Sequence, residues 1–233
     1  MNKKSINKTI IKKFDLSQTD KGWLLTFGDK IYLTKNGNKV YVPNENFIKI
    51  LKQEFKDHKI LEYSKYSLTK IMITFADKLR HQKSVFVDEL IKYLETDLLF
   101  YRVASPKSLS VSQSEKWNKM IHIFDSIFQT RWNVSTRIMP LKQDHESINK
   151  IKDYLMNLDT LNLHIMTYLL KVTGSCIVTV LCNMKKLDAI EVWEAVNIEE
   201  LWYNKIYDDD EKKVELDVKI SELDFYIKLL DSM

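Results

Sequence analysis

The chain has 233 residues, of which 45% are hydrophobic and 29% are charged, a balance that can bury a core and excludes a wholly disordered chain. Four glycines and three prolines are few, which favours helices over turn-rich β structure. The net charge of +4 is unevenly spread, because residues 186–233 carry −8 and the remainder +12; such asymmetry is compatible with a charged partner but does not require one.

A small antiparallel β meander is predicted at residues 22–43. Apolar residues alternate in three short runs, and residues 28–29 and 36–38 supply the turns between them. The alternating residues are Trp23, Leu25, Phe27, Ile31, Leu33, Val40 and Val42. Helical patterns follow over residues 45–58, with Asn44 as the N-cap, and over 67–79 and 84–96.

After Pro106 the apolar spacing is helical almost throughout, with one stripe that contains Trp117. Residues 133–141 interrupt the pattern. Further predicted helices cover residues 144–157, 159–183, 188–207 and 212–230. The predicted fold class is therefore α+β: a small N-terminal antiparallel β meander with helices over residues 1–82, of which 1–20 could be flexible, followed by a larger all-helical C-terminal domain over residues 83–233.

The most apolar stretch, residues 163–184, admits three interpretations. It is long enough to span a membrane, but Lys171 near its middle would be costly in lipid. Ser175 or Cys176 could serve as a nucleophile in a hydrolase, but neither a nucleophile elbow nor a base accompanies them. The favoured interpretation is a buried core helix, in which Gly174 and Ser175 are small enough to let a neighbouring helix approach.

The sequence does not indicate a metal or cofactor site. The five histidines have no metal-ligand spacing, and no glycine-rich phosphate loop is present. Cys176 and Cys182 lie six residues apart in a predicted helix, so we expect no disulfide between them. Residues 1–14 contain five lysines without an arginine and without a secretory apolar run. Nucleic-acid binding through this lysine-rich region therefore stays an alternative function.

Several segments match one known family in order and spacing. In "TDLLFYRVASPKSLSVSQSEKW" the matching residues are Asp97, Leu98, Tyr101, Arg102, Pro106, Leu109, Gln113 and Trp117. Elsewhere they are Glu54, Leu68, Thr69, Asp77, Ile138, Met139, Gln143, Gly174, Ser175, Trp193, Glu200, Trp202 and Asp210. On these positions the chain resembles the assembly chaperones that bind the alpha subunit of the ATP synthase catalytic head. The residues that depart from the family pattern are Phe55, His58, Ser67, Glu199, Tyr203 and Tyr207, so the resemblance is to a divergent, alphaproteobacterial-like member.

The resemblance implies a protein-binding function without catalysis. The protein would hold the free alpha subunit and protect its beta-facing surface until the alpha/beta hexamer forms. It would act as a monomer when free, without metal, cofactor or stable membrane insertion. Its location would be the cytoplasm of a bacterium, or the mitochondrial matrix of a eukaryote.

The expected partner-binding residues are Glu199, Glu200 and Trp202, together with Trp193. A tryptophan beside carboxylates is a plausible interface anchor with a polar rim, although two tryptophans nine residues apart could equally be core residues beside a solvated acidic face. The residues expected to have structural or interdomain roles are Tyr101, Arg102, Trp117 and Gly174. Tyr101 and Arg102 would join the two domains, Arg102 through its fork of donors.

Overall fold

The first unit of the fold is built on an antiparallel sheet whose central strand is β2. The computed structural model describes residues 15–57, 66–79, 82–137, 139–207 and 210–233. The strands within these ranges are β1 (Asp15–Thr19), β2 (Gly22–Phe27), β3 (Lys30–Ile31) and β4 (Tyr41–Val42). Strand β2 pairs with each of the others, and its turn to β1 places Thr19 opposite Gly22. The predicted meander is present, and β1 extends it on the N-terminal side.

Burial along the sheet differs from the predicted alternation. In β2 the three successive residues Leu24, Leu25 and Thr26 are all buried, so both faces of the strand are covered there, since successive side chains point to opposite faces. Ile31 and Leu33, which belong to the alternating apolar pattern, are exposed. They lie in and just after the two-residue strand β3, whose described pairing is with the end of β2.

Two helices complete this unit. Helix α1 (Glu45–Asp57) begins at Asn44, whose side chain accepts the N–H of Phe47 at 3.1 Å, as the sequence predicts. Helix α2 (Leu68–Thr74) begins at Ser67, whose hydroxyl accepts the N–H of Lys70, and a π-helical turn follows over Phe75–Leu79. Ser67, one of the residues that depart from the pattern of the resembled family, therefore caps this helix. His58, another departure, lies outside the described residues.

The second unit is helical. Its helices are α3 (Lys83–Glu95), α4 (Lys107–Phe128), α5 (His145–Asn157), α6 (Thr160–Thr173), α7 (Cys176–Asn183), α8 (Ala189–Val196), α9 (Ile198–Tyr207) and α10 (Asp210–Asp231), with a 3-10 turn at Leu98–Phe100. The chain divides into two compact units, of which the first consists of residues 1–81 with 232–233 and the second of residues 82–231. The α+β fold class is confirmed.

The apolar stretch forms two helices, so the prediction of one helix over residues 159–183 is wrong. Helix α6 ends at Gly174, which has a φ of 65°, and α7 begins at Ser175, whose side chain accepts the N–H of Val178. A Cβ placed on Gly174 would meet nothing within 4 Å. The expected close helix approach at Gly174 is therefore wrong, and its backbone conformation is what requires glycine.

The same stretch is core. All seven residues from Cys176 to Cys182 are buried, and both cysteines are free thiols. Burial raises the pKa of Cys176 well above its usual range, which opposes a nucleophilic role. Ser175 is fully buried and serves as a helix cap. In the described ranges of the chain, no helix combines the length and the hydropathy that crossing a membrane requires.

Candidate protein-binding surface on helices α8 and α9

Helices α8 and α9 are separated by one residue, although the sequence predicts one helix over residues 188–207. Asp188 caps α8 in a capping box, since its side chain accepts the N–H of Glu191 while Glu191 accepts the N–H of Asp188. Asn197 ends α8, donating from its backbone and side chain to the carbonyl of Trp193. The carbonyl of Asn197 then accepts from Leu201 in the first turn of α9. This asparagine therefore changes the chain direction between two short helices.

Helix α4 is the scaffold on which α8 and α9 lie. Trp117 is buried, and its indole N–H donates to the carbonyl of Ala195 at 2.9 Å. The indole N–H of Trp202 donates to the hydroxyl of Ser108 at 3.1 Å, near the start of α4. The two hydrogen bonds attach α8 and α9 to different turns of the same helix, which fixes their placement on it.

The carboxylates of α8 are neutralised by lysines of α4. Lys116 Nζ lies 2.5 Å from Glu194 Oε2, and Lys119 Nζ lies 3.0 Å from Glu191 Oε1. These side chains are half-exposed, so each pair contributes at most about 1 kcal/mol to stability. Their larger effect is to cancel the negative charge of this helix.

The carboxylates of α9 are in a different environment. Glu199 is exposed, and its Oε1 accepts a hydrogen bond at 2.8 Å from Nε2 of Gln113, an uncharged donor that is itself fully buried. Within the described part of the chain, neither Glu199 nor Glu200 forms an ion pair with a lysine or arginine. The two negative charges of α9 are therefore available to a partner.

An apolar stripe continues from these carboxylates along α9. Tyr203, Ile206 and Tyr207 are 50%, 53% and 63% exposed, and the two tyrosine rings are 4.3 Å apart. They follow Glu199 at helical spacing, so all four residues share one face of the helix. We call Glu199, Tyr203, Ile206 and Tyr207 the α9 stripe. Large side chains left in water at adjacent positions are typical of a protein-binding surface.

The four residues predicted to bind a partner all lie on this pair of helices. Trp193 is half-buried on α8, and Trp202 is half-buried on α9, where it is held by Ser108. Glu199 and Glu200 lie in the first turn of α9. Sequence reasoning did not assign the supporting residues Ser108 and Gln113 to the site. Nothing local could reveal them, because 94 and 86 residues separate them from their partners Trp202 and Glu199.

The residues predicted to join the domains have their described contacts inside the helical unit. Tyr101 pairs with Ser135, and its hydroxyl accepts the N–H of Leu141 at 3.2 Å. The guanidinium of Arg102 lies 6.0 Å from the ring centroid of Trp117, at cation–π distance. Their interdomain role stays a prediction.

The described ranges contain no group of three His, Cys, Asp or Glu side chains that lie close enough together to hold a metal ion. The surface instead combines exposed aromatic residues, unpaired carboxylates and a fixed scaffold. Exposed aromatic residues of this kind are enriched at protein–protein interfaces.

Comparison with known proteins identifies the fold. The crystal structure of Atp12 from Paracoccus denitrificans superposes with a TM-score of 0.85 at 18% identity, covering 96% of this chain and 97% of that one. A mutant of the same protein superposes with a TM-score of 0.84 at 18% identity, covering 96% of both chains. A candidate chaperone from Agrobacterium tumefaciens gives 0.83 at 19% identity, covering 97% of this chain and 85% of that one. No curated protein sequence matches.

The fold is therefore one found in chaperones, with a small β unit and a larger helical unit. The family model of the ATP12 chaperone protein matches residues 8–125, which is half of the chain. The chain belongs to the ATP12 chaperone family. The resemblance identified from the sequence is confirmed.

Proposed function

We propose that this protein is an assembly chaperone that binds the free alpha subunit of the ATP synthase catalytic head. It covers the beta-facing surface of that subunit until the alpha/beta hexamer forms. The exposed α9 stripe supports this proposal most directly, because it offers an apolar contact edged by unpaired carboxylates. Membership of the ATP12 chaperone family supports the same kind of function.

The physical task requires binding and no chemistry. A free subunit that exposes an interface meant for another subunit is prone to aggregate. A chaperone that covers this surface protects it, and the beta subunit displaces the chaperone if its own complex with alpha is more stable. The proposed function is therefore non-catalytic and needs no cofactor. The proposed location, which the resemblance implies, is the cytoplasm of a bacterium or the matrix of a mitochondrion.

The first test is complex formation with the alpha subunit of the same organism. We expect a one-to-one complex by size-exclusion chromatography with light scattering, and we expect added beta subunit to dissolve it. Folded, monodisperse alpha subunit that elutes separately from this protein would contradict the proposal.

A charge reversal locates the surface. Glu200→Lys should raise the Kd for the alpha subunit by about 10-fold, because it replaces an unpaired carboxylate of α9 by a cation. Glu95→Lys is the matched control, since it makes the same charge change at an exposed position on α3. Isothermal titration calorimetry with both variants measures the difference, and equal affinities for the two would show that the charge of Glu200 takes no part in binding.

A further inference from the structure

We infer that Gln113 is a positioning residue that presents the Glu199 carboxylate, still charged, to a basic side chain of the client. The inference deepens the proposed function and rests on it. Gln113 does not contact the client in this arrangement, because its side chain is fully buried beneath α9. It acts through the 2.8 Å hydrogen bond from its Nε2 to Glu199 Oε1.

The orientation of the Gln113 amide is determined by a second contact. Its Oε1 accepts the backbone N–H of Val103 at 2.9 Å, so the oxygen end of the amide must face the 101–103 segment. The NH2 end then has to face Glu199. Because a buried amide with both ends engaged cannot rotate without losing a hydrogen bond, the carboxylate that it holds is confined as well.

The neutral donor distinguishes Glu199 from the acids of α8. Glu191 and Glu194 are held by Lys119 and Lys116, which fix the carboxylates and cancel their charge. Gln113 fixes a carboxylate in the same way without cancelling its charge. A glutamate whose only task were to attach α9 to α4 could be held by a lysine, as Glu191 and Glu194 of α8 are, so the retained charge points to a partner outside the chain.

The chemistry of that partner follows from the surroundings of Glu199. The carboxylate lies at one end of the α9 stripe, next to Tyr203. A matching surface on the client is apolar, with a lysine or arginine at its edge to pair with Glu199. An ion pair that is partly desolvated by neighbouring aromatic contacts is stronger and more specific than one in open solvent.

A double-mutant cycle on the full-length protein tests the inference by measuring the Kd for the alpha subunit. Gln113→Glu keeps an acceptor for Val103 but, when its carboxyl group is ionised, replaces the donor to Glu199 with a repelling oxygen. It should weaken binding by about 10-fold, as Glu199→Ala should. The double variant should bind no more weakly than Glu199→Ala alone, because Gln113 has nothing left to position.

Gln143→Glu is the matched control. Gln143 is also buried, and it also accepts one backbone N–H and donates to one carbonyl, both of Asn133, away from α9. Its variant should lose a comparable amount of thermal stability and keep the wild-type Kd. If Gln113→Glu does not fold, or if burial keeps its carboxyl group protonated and donating to Glu199, Gln113→Met and Gln143→Met repeat the comparison without adding an ionisable group.

The outcomes distinguish the role of Gln113 from the binding of the alpha subunit itself. Losses that multiply in the double variant, or an equal loss of affinity in Gln143→Glu, would show a general structural role for Gln113 and overturn the inference alone. Failure of the wild-type protein to bind the alpha subunit would overturn the proposed function and the inference with it.

Discussion

At the scale of single residues, Asp97 is a carboxyl group enclosed in the core of the helical unit. It is fully buried and accepts the N–H of Leu99 at 3.0 Å through one oxygen and that of Ile177 at 3.0 Å through the other. It thus joins the 3-10 turn to the N-terminus of α7. Burial raises the pKa of Asp97 from its ordinary value of 3.8 to about 6, although these N–H groups oppose the rise.

This shift makes stability depend on pH. Because the folded-state pKa is above the unfolded-state value, the folded protein binds more protons between them. The stabilising contribution is fully present below the unfolded pKa and is lost as pH rises through about 6. We expect the wild type to lose on the order of 2–3 kcal/mol relative to Asp97→Asn between about pH 4 and about pH 7. Urea unfolding of both proteins measures it, and parallel pH profiles would contradict it.

At the scale of elements, the breaks between helices depend on single residues. Helices α6 and α7 are both buried, so the apolar pattern runs through their junction without a change of period. The left-handed backbone at Gly174 stops α6, and the Ser175 cap starts α7. A lone glycine inside an apolar run is a weak signal, because helices also tolerate glycine at modest cost.

Substitutions at Gly174 should therefore act through the backbone. Gly174→Ala should lower the free energy of unfolding by about 1 kcal/mol, because its φ of 65° disfavours a side chain while no neighbour obstructs a Cβ. Gly174→Asn should cost less, since asparagine tolerates this conformation. Gly22→Ala is the contrasting control and should cost more, because its Cβ would lie 2.7 Å from the carbonyl of Val42. Thermal unfolding of the three variants tests this order.

At the scale of the whole molecule, the uneven charge of the sequence has a structural counterpart in the helical unit. Part of the acidic C-terminal region is neutralised by lysines of α4, while the acids of α9 are not. The negative charges of α8 are thus paired within the chain, whereas those of α9 are not. A net charge alone could not distinguish these two uses.

The lysine-rich residues 1–14 lie outside the described ranges, and nucleic-acid binding through them stays an alternative. We expect only weak, nonspecific binding of duplex DNA that disappears at about 0.15 M salt, because five lysines without arginine provide phosphate contacts but no base recognition. Fluorescence anisotropy across a salt series measures this. Tight binding that persists at that salt concentration would favour the alternative function.

The sequence by itself determined the fold class, most helices and the family. Periodicity, the Asn44 cap and the order of matching motifs are features of the sequence itself, so they can be recognised without knowing which helices and strands pack together. It also directed attention to Glu199, Glu200 and Trp202, whose role in binding stays a prediction. Their spacing could not show which acids carry an unpaired charge.

Only the tertiary structure decided that point. Lys119, Lys116 and Gln113 lie 72, 78 and 86 residues before the carboxylates that they hold, Glu191, Glu194 and Glu199. No local pattern links residues so far apart. Whether a carboxylate meets a lysine or a glutamine depends on how α8 and α9 pack on α4, and that packing is set by buried contacts such as Trp117 on Ala195.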